Sequence, residues 1–382
     1  MKVTFFGNFL NPHVIPFCDE MERILKEDFK FVATSKISDE RLALGFKDYN
    51  HSYNYSINSY ESQEQLKEAL NLLLISDVVI IGAVPEHFLT KRLKTNKLTF
   101  RYSERFFKRG YYRLLDPRMF LMSFSRHTKH RFKKLHLLCA SAFAARDASL
   151  LFAYPDKMWR WGYFPEVLHY NLEDRFSTHL HDKIKILWTS RFIEWKHPEH
   201  AIEIAKKLKS KGFRFVMTMI GDGILRPSIE KYANALGLTG DVKFLGVVNP
   251  EEVRKHMLNS DIFLFTSDKQ EGWGAVLNES MNSGCAVIAS DEIGAVHSMI
   301  KHKHNGLVYK SGNIEELYRA VESLLLNPEH IKRIGTNAYN TIVSEWNAET
   351  AAQRFIKLVE CIFEGKQVPF TSGPCSKAVT RF

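Results

Sequence analysis

The chain has 382 residues, a formal net charge of +10, 45% hydrophobic and 25% charged residues, which suits two globular domains of about 100–200 residues each. Its apolar runs at 72–75 and 78–84 fall short of the ~18–20 residues that cross a bilayer, and Met1-Lys2-Val3-Thr4-Phe5-Phe6-Gly7 reads as a buried strand with no leader cleavage site. Cys18, Cys139, Cys285, Cys361 and Cys375 form no C-x-x-C pair, which excludes a disulfide framework and a zinc ribbon and predicts reduced thiols in the cytosol.

In chain order, the apolar runs predict strands at 3–6, 30–34, 78–82 and 135–139, with helices near 16–26 and 63–74. The charge is concentrated inside this half. From Lys91 to Lys134 fifteen Lys and Arg face two acids, Glu104 and Asp116, so the rest of the chain is net negative by three. Aromatics such as Phe100, Tyr102, Phe107, Tyr112, Phe120, Phe124 and Phe132 are interleaved with those cations. That mixture favours an anionic surface, lipid headgroups or nucleic acid. The plainer alternative is a solvated basic face over an aromatic core. No recognised nucleic-acid motif accompanies the charge, so nucleic acid is not expected as a partner.

Turn residues at 154–155 and 162–165 lead to a domain change near 168–183. Strands at 184–189, 215–220, 242–245, 262–266, 286–289 and 307–309 then alternate with helices near 198–211, 229–235, 250–258, 275–282, 295–300 and 314–326. Nearly all-apolar strands separated by amphipathic helices indicate a parallel sheet covered on both faces. The predicted division is 1–167, 168–346, a helix over 347–366 and an unstructured tail over 367–382, where Pro, Gly and Ser occur without periodicity.

Ligands in such sheets bind beyond the carboxyl ends of the strands, so the loops there matter most. After 184–189 comes Ser190-Arg191-Phe192-Ile193-Glu194-Trp195-Lys196, which puts two cations beside a helix start, a clamp suited to a diphosphate. Gly221-Asp222-Gly223 and Gly246-Val247-Val248 follow the next two strands, where backbone lacking Cβ atoms can approach a ligand. The stretch 266–281 runs from a strand through Glu271-Gly272-Trp273-Gly274-Ala275-Val276 into a helix bearing Glu279. N–H groups around 273–275 can meet an anion, and two carboxylates can accept sugar hydroxyls. A buried Glu279 paired with an internal cation and a solvated Glu271 is the alternative.

Glu271 and Glu279 form an E-x7-E pattern. With Ser190-Arg191…Lys196, Gly221-Asp222-Gly223, Val242-Lys243-Phe244-Leu245-Gly246, Ser260-Asp261 and Asn305-Gly306-Leu307, the chain resembles family 4 of the retaining glycosyltransferases, among them group 1 enzymes of bacterial surface polysaccharides. The resemblance covers about 183–362 and implies an α/β fold of GT-B type, with two Rossmann-like doubly wound domains facing across a cleft and a C-terminal helix returning toward the first. It implies that Arg191 and Lys196 hold the donor diphosphate, Glu279 the ribose and Glu271 the transferred sugar. Gly221, Gly223, Gly246, Val247, Trp273, Gly274, Ala275 and Val276 would complete the donor site. Two departures stand out: His197 where a Gly often follows the Lys, and Gly294-Ala295-Val296-His297 where a Glu is usual.

Gly7, Asn8, Asn11 and His13 follow the first strand and would line the acceptor side, while Ser103 and Arg105 lie in a stretch similar to those of surface-polysaccharide enzymes; His87 and Glu104 are further catalytic candidates, an ordinary surface histidine being the alternative for His87. No D-x-D pair is present, and cations at Arg191 and Lys196 make a metal unnecessary for the leaving diphosphate; no metal or other cofactor is expected. The implied activity is hexosyl transfer, with retention, from a UDP- or GDP-sugar to a lipid-linked glycan in capsule, O-antigen or exopolysaccharide assembly. The enzyme would be cytoplasmic, held to the inner face of the membrane through 91–134. A non-catalytic sugar-nucleotide or membrane-binding module of the same fold is the other reading.

Overall fold

The computed structural model describes residues 1–39, 42, 47–177 and 183–381. It divides into two compact units, one of Met1–Glu166 with Asn347–Phe382 and one of Val167–Trp346. Part of the linker expected near 168–183 lies outside the described residues. No helix among those described is long and apolar enough to cross a membrane.

The first unit holds a seven-stranded parallel sheet made of β1 (Val3–Gly7), β2 (Phe29–Ala33), β3 (Ser56–Asn58), β4 (Val78–Ile81), β5 (Leu98–Ser103), β6 (Leu135–Cys139) and β7 (Met158–Arg160). Their order is β3-β2-β1-β4-β5-β6-β7, with Val3 opposite both Phe29 and Val78. β1, β4 and β6 are buried along their whole length because helices cover the sheet. The helix Gln63–Ile75 starts where the Ser62 side chain accepts the Gln65 N–H, and it buries Ala69, Leu72 and Leu73 against Phe6 and Val79.

Three of these strands escape the sequence pattern. β3 and β7 are only three residues long, and β5 lies inside the basic segment, which is therefore not one solvated face. Arg92, Arg101 and Arg105 are buried. The Arg92 guanidinium donates to the carbonyls of Leu73, Ser76, Asp77 and Leu98 and to Thr99 Oγ1, tying β4 to β5. Its burial pushes the pKa down to about 10.

The helix Ala348–Glu364 belongs to this first unit. Asn347 caps it by accepting the Thr350 N–H at 2.8 Å, and Phe355 packs on Phe17, Phe100 and Trp161. The tail beyond it is ordered against expectation. Cys375 N donates to Arg160 O at 2.8 Å, Arg160 N to Ser376 O at 2.8 Å and Ala378 N to Met158 O at 3.0 Å. The segment thus pairs antiparallel with β7 at Trp159 and Lys377, satisfying an edge strand and burying Cys375 and Ser376. Backbone pairing leaves no periodic signature, so the sequence hid it.

The second unit carries β8 (Ile184–Thr189), β9 (Phe215–Ile220), β10 (Val242–Gly246), β11 (Ile262–Phe265), β12 (Ala286–Ser290) and β13 (Leu307–Tyr309). They form a parallel sheet in the order β10-β9-β8-β11-β12-β13. Ile186, Met217, Leu264 and Ile288 pack with Ala201, Ala205 and Leu208 of the helix Pro198–Ser210. The strand order reverses between β8 and β11, which pair through Ile186 and Leu187. All five cysteines are free and buried.

Candidate active site

In open parallel sheets a crevice forms where the strand order reverses. In the second unit the loops that leave β8 and β11 flank that point. They are the loop 190–197 and the loop 266–275, the two that carry Arg191, Lys196 and Glu271. They are locked together by backbone and side chain: Asp268 N donates to Trp195 O at 3.0 Å, Thr266 Oγ1 to Lys196 O at 2.7 Å and Trp188 Nε1 to Thr266 Oγ1 at 2.8 Å.

Lys196 and Glu271 form a largely buried ion pair. The Lys196 ammonium also lies 4.2 Å from the Trp195 ring centroid, a cation–π contact that holds it at the mouth of the loop. Arg191 is exposed, with its guanidinium 5.8 Å from the same ring. One cation is therefore buried and pre-positioned, and the other lies exposed beside the same indole.

The glycines explain how backbone comes so close here. Gly221 has φ +128°, and a Cβ there would lie 1.9 Å from Ser190 O; at Gly223, with φ +152°, it would lie 2.5 Å from Phe192 O. Ser190 N and Phe192 N in turn donate to Ile220 O and Asp222 O, so the β9 exit clamps the β8 exit. Gly246 O accepts the Gly221 N–H at 2.7 Å, and Val247 beside it is exposed.

In the loop after β11, Gly274 has φ +89°, and a Cβ would sit 2.6 Å from the Phe265 ring. Among the described residues nothing accepts the N–H groups of Gly274, Ala275 or Val276, the donors expected to meet an anion. Trp273 differs from expectation. Its indole is fully buried, donates to Asn278 Oδ1 at 2.9 Å and packs on Trp346, so no ligand stacks on it and only its backbone belongs to the loop. Glu279 lies in the helix Val276–Asn282. Burial pushes its pKa up while the nearby Arg254 guanidinium pulls it down, but Glu271 is buried in its pair with Lys196 rather than solvated, so the alternative of a paired Glu279 beside a solvated Glu271 does not hold.

His197 has φ 50° and ψ 55°, the left-handed conformation that explains why a glycine suits this position. Its Nδ1 lies 2.7 Å from Glu199 Oε1 and its Nε2 3.6 Å from Asp268 Oδ2. Hydrogen bonds to Asp268 and Glu199 raise its pKa to about 9. A third cation thus stands next to Lys196. Asp268, Arg254 and Glu292, whose carboxylate accepts the Lys269 N–H at 3.2 Å, were not singled out from sequence. Arg254 lies far from Glu279 in the chain and carries no motif, whereas Asp268 belongs to the loop 266–275. His297, where a Glu is usual, sits 2.8 Å from Asp291 O through Nε2 and is half-buried.

In the first unit the order likewise reverses, between β1 and β4. A Cβ on Gly7, at the end of β1, would lie 2.6 Å from the Phe31 ring. In the following loop Asn8 and Asn11 accept the N–H groups of Phe9 and His13. The His13 ring stacks on Tyr163 at 5.8 Å and 4°, and Tyr163 OH donates to Glu104 Oε1 at 2.6 Å; Lys108 pairs with the other oxygen of Glu104. His13, Glu104 and Tyr163 are therefore one cluster. Ser103 Oγ donates to Glu104 O. His87 is exposed on the helix Glu86–Arg92 and takes no part in the cluster. Arg105 is internal, with its guanidinium 4.5 Å from the Phe143 ring centroid and near the buried Asp147. It acts as a structural cation rather than an acceptor contact.

Residues 171–341 match the family model described as glycosyl transferases group 1. That match covers most of the second unit, Val167–Trp346. Amylovoran biosynthesis glycosyltransferase AmsK of Erwinia amylovora is 27% identical over 206 residues, 53% of this chain and 49% of that protein. Lipopolysaccharide core biosynthesis glycosyltransferase LpsE of Rhizobium meliloti is 26% identical over 174 residues, 46% of this chain and 49% of that one. The chain spans about half the length of the curated relatives it matches. Anabaena HepE, solved in complex with UDP, superposes with a TM-score of 0.70 at 14% identity, over 94% of this chain and all of that one. Sucrose-phosphate synthase of Thermosynechococcus elongatus does so at 0.64, with 14% identity, over 96% of this chain and all of that one. The fold is GT-B, and residues 171–341, which match the group 1 model, include every donor-side residue named from the sequence.

Proposed function

We propose that the protein is a retaining glycosyltransferase that takes a sugar from a nucleoside-diphosphate sugar and places it on a hydroxyl of a lipid-linked glycan in bacterial surface-polysaccharide assembly. The carrying observation is the meeting of Lys196, Glu271 and unclaimed N–H groups at the point where the strand order reverses. In that reading the diphosphate takes over Lys196, Arg191 and the N–H groups of 274–276. Glu271, released from its pair, accepts hydroxyls of the sugar, and Glu279 those of the ribose. HepE, solved with UDP, supports a uridine donor.

The reaction breaks the bond from the anomeric carbon to the diphosphate and forms one to the acceptor oxygen, whose proton passes to a leaving-phosphate oxygen on the same face. Charge on that phosphate develops against fixed cations, the preorganised stabilisation that lowers such barriers, so turnover proceeds without a metal. The lipid-linked acceptor would be met at the inner face of the membrane, with His13, Glu104 and Tyr163 on the acceptor side.

Titration calorimetry in chelator with UDP and GDP tests the reading. UDP binding by the wild type, weakened at least tenfold in Glu279→Ala, supports it. Failure of both nucleotides to bind refutes it. A protein that binds UDP but never turns over UDP-sugars is the non-catalytic module instead.

A further inference from the structure

Outside the site, exposed large apolar side chains gather in one place. Tyr112, Leu115, Phe120, Leu121, Met122, Phe124 and Phe132 are all exposed, Leu115 at 85%, Leu121 at 63% and Phe132 at 86%. They surround the helix Pro117–Arg126, in which Ser123 is the only buried residue and which packs on the short turns Tyr111–Leu115 and Thr128–His130. At 100° per residue, Ser123 and Met119 turn inward, so Leu121 with Phe124 points away from the protein. Asp116 caps the helix by accepting the Arg118 N–H, and Asp147 braces the chain just before it by accepting the N–H groups of Phe106 and Phe107 and the Tyr111 hydroxyl. An apolar face on a braced element is not a frayed loop.

The same stretch, 108–134, holds nine Lys and Arg and one acid, Asp116. Arg109, Arg118, Arg126, Lys129, Lys133 and Lys134 are exposed, and among the described residues none has a carboxylate at ion-pair distance. Arg131 lies over the Phe132 ring at 5.1 Å, which keeps a cation beside an outward aromatic. Apolar side chains pointing outward among unneutralised cations match one partner chemistry: hydrocarbon beneath an anionic headgroup layer.

We propose that this protein docks on anionic bilayers by seating the helix Pro117–Arg126 in the headgroup layer, with Leu121 and Phe124 in the acyl boundary and Phe120, Leu115 and Phe132 at its margin. Arg118, Arg126, Lys129 and Lys133 contact lipid phosphates around them. This narrows the basic segment 91–134: Arg92, Arg101 and Arg105 are spent inside the fold, and the docking surface is 108–134. The inference deepens the function proposed above, since it supplies the surface on which a lipid-linked acceptor is met, but the binding itself does not depend on that reading.

Flotation with vesicles of phosphatidylcholine, alone or equimolar with phosphatidylglycerol, tests it on the full chain. The wild type is expected to bind only the anionic vesicles. The doubly substituted L121S/F124S protein should lose about tenfold or more in partitioning, and each charge removed in R118Q/R126Q about fivefold. Binding weakened but not abolished at about 0.5 M salt separates insertion from pure charge attraction. No binding to anionic vesicles, or L121S/F124S binding like the wild type, overturns the proposal. So does preference for a duplex or single-stranded oligonucleotide at matched salt, or a wild-type dimer that L121S/F124S dissolves. UDP calorimetry on the same samples keeps the two readings apart: protein that binds UDP but ignores vesicles defeats only the docking surface, and the converse defeats only the donor site.

Discussion

Lys196 and Glu271 offer a sharp test of how the site is held before any ligand arrives. Their side chains are 11% and 12% exposed, so each charge depends on the other more than on water. Removing one partner of such a pair strands a buried charge at a cost of about 3–5 kcal/mol, and the residual exposure places Lys196→Met and Glu271→Gln near the lower end, about 3 kcal/mol each. The double variant K196M/E271Q strands neither charge and should cost no more than either single change, giving a coupling of at least about 3 kcal/mol. Urea unfolding is the assay, read by tryptophan fluorescence, because Trp188, Trp195, Trp273 and Trp346 all lie in the second unit. With a slope of about 2 kcal/mol per M, each single variant lowers the midpoint by about 1.5 M. The double variant should regain stability without regaining UDP binding, since the ammonium that meets the diphosphate is gone. Strictly additive losses, with the double variant near twice either single, would show that the pair is solvated and the reasoning wrong.

Gly221→Ala forces a Cβ to within 1.9 Å of Ser190 O at φ +128°, and should abolish UDP binding or prevent folding, whereas Gly212→Ala, with φ +75° and open space around it, should cost only about 1 kcal/mol in thermal unfolding. His136 is buried, accepts the Trp159 indole N–H at 3.0 Å and has its pKa pushed down to about 3 by burial, with Lys157 and Lys377 adding to it. Because that value lies below the unfolded one of about 6.5, the unfolded chain binds the proton first. Stability is therefore intact above that range and falls by about 1.4 kcal/mol per pH unit from there toward the folded pKa. Proton NMR should show the His136 ring untitrated at pH values where ordinary histidines are half-charged, and His136→Gln should flatten the acid loss. Deleting residues 367–382 removes three backbone bonds to β7 and the buried Cys375; it should destabilise the first unit by on the order of 3 kcal/mol, measured as a lower Tm with UDP binding retained.

The second unit was the more legible half because its strands are nearly uniform apolar runs divided by amphipathic helices, so alternation alone locates them. β5 was hidden by Arg101, a charge that the fold buries beside Glu86, and by the basic neighbours that made the whole segment read as surface. Residue type was also a poor guide to side-chain direction. Trp273 stands between glycines in a ligand loop, yet its indole serves the core; Arg105 follows a strand exit, yet it lies over Phe143. Backbone roles were easier to anticipate, since Gly221, Gly223 and Gly274 occupy positions where a Cβ would collide. The Tyr163–Glu104 bond joins residues far apart in sequence, and only the sheet order brings them together.

The helix Ala348–Glu364 and the strand-like tail complete a unit whose other residues precede the second unit in the chain. Domains commonly assemble in order of synthesis, but here the segment that covers Phe17 and Trp161 and seals the edge of β7 is made after all of 167–346. The continuous second unit can therefore fold on the nascent chain while the first waits with an open sheet edge and an uncovered aromatic cluster. In a cell, the half that carries the helix Pro117–Arg126 matures after the second unit, and chaperone demand should fall on it rather than on the half that holds Lys196 and Glu271.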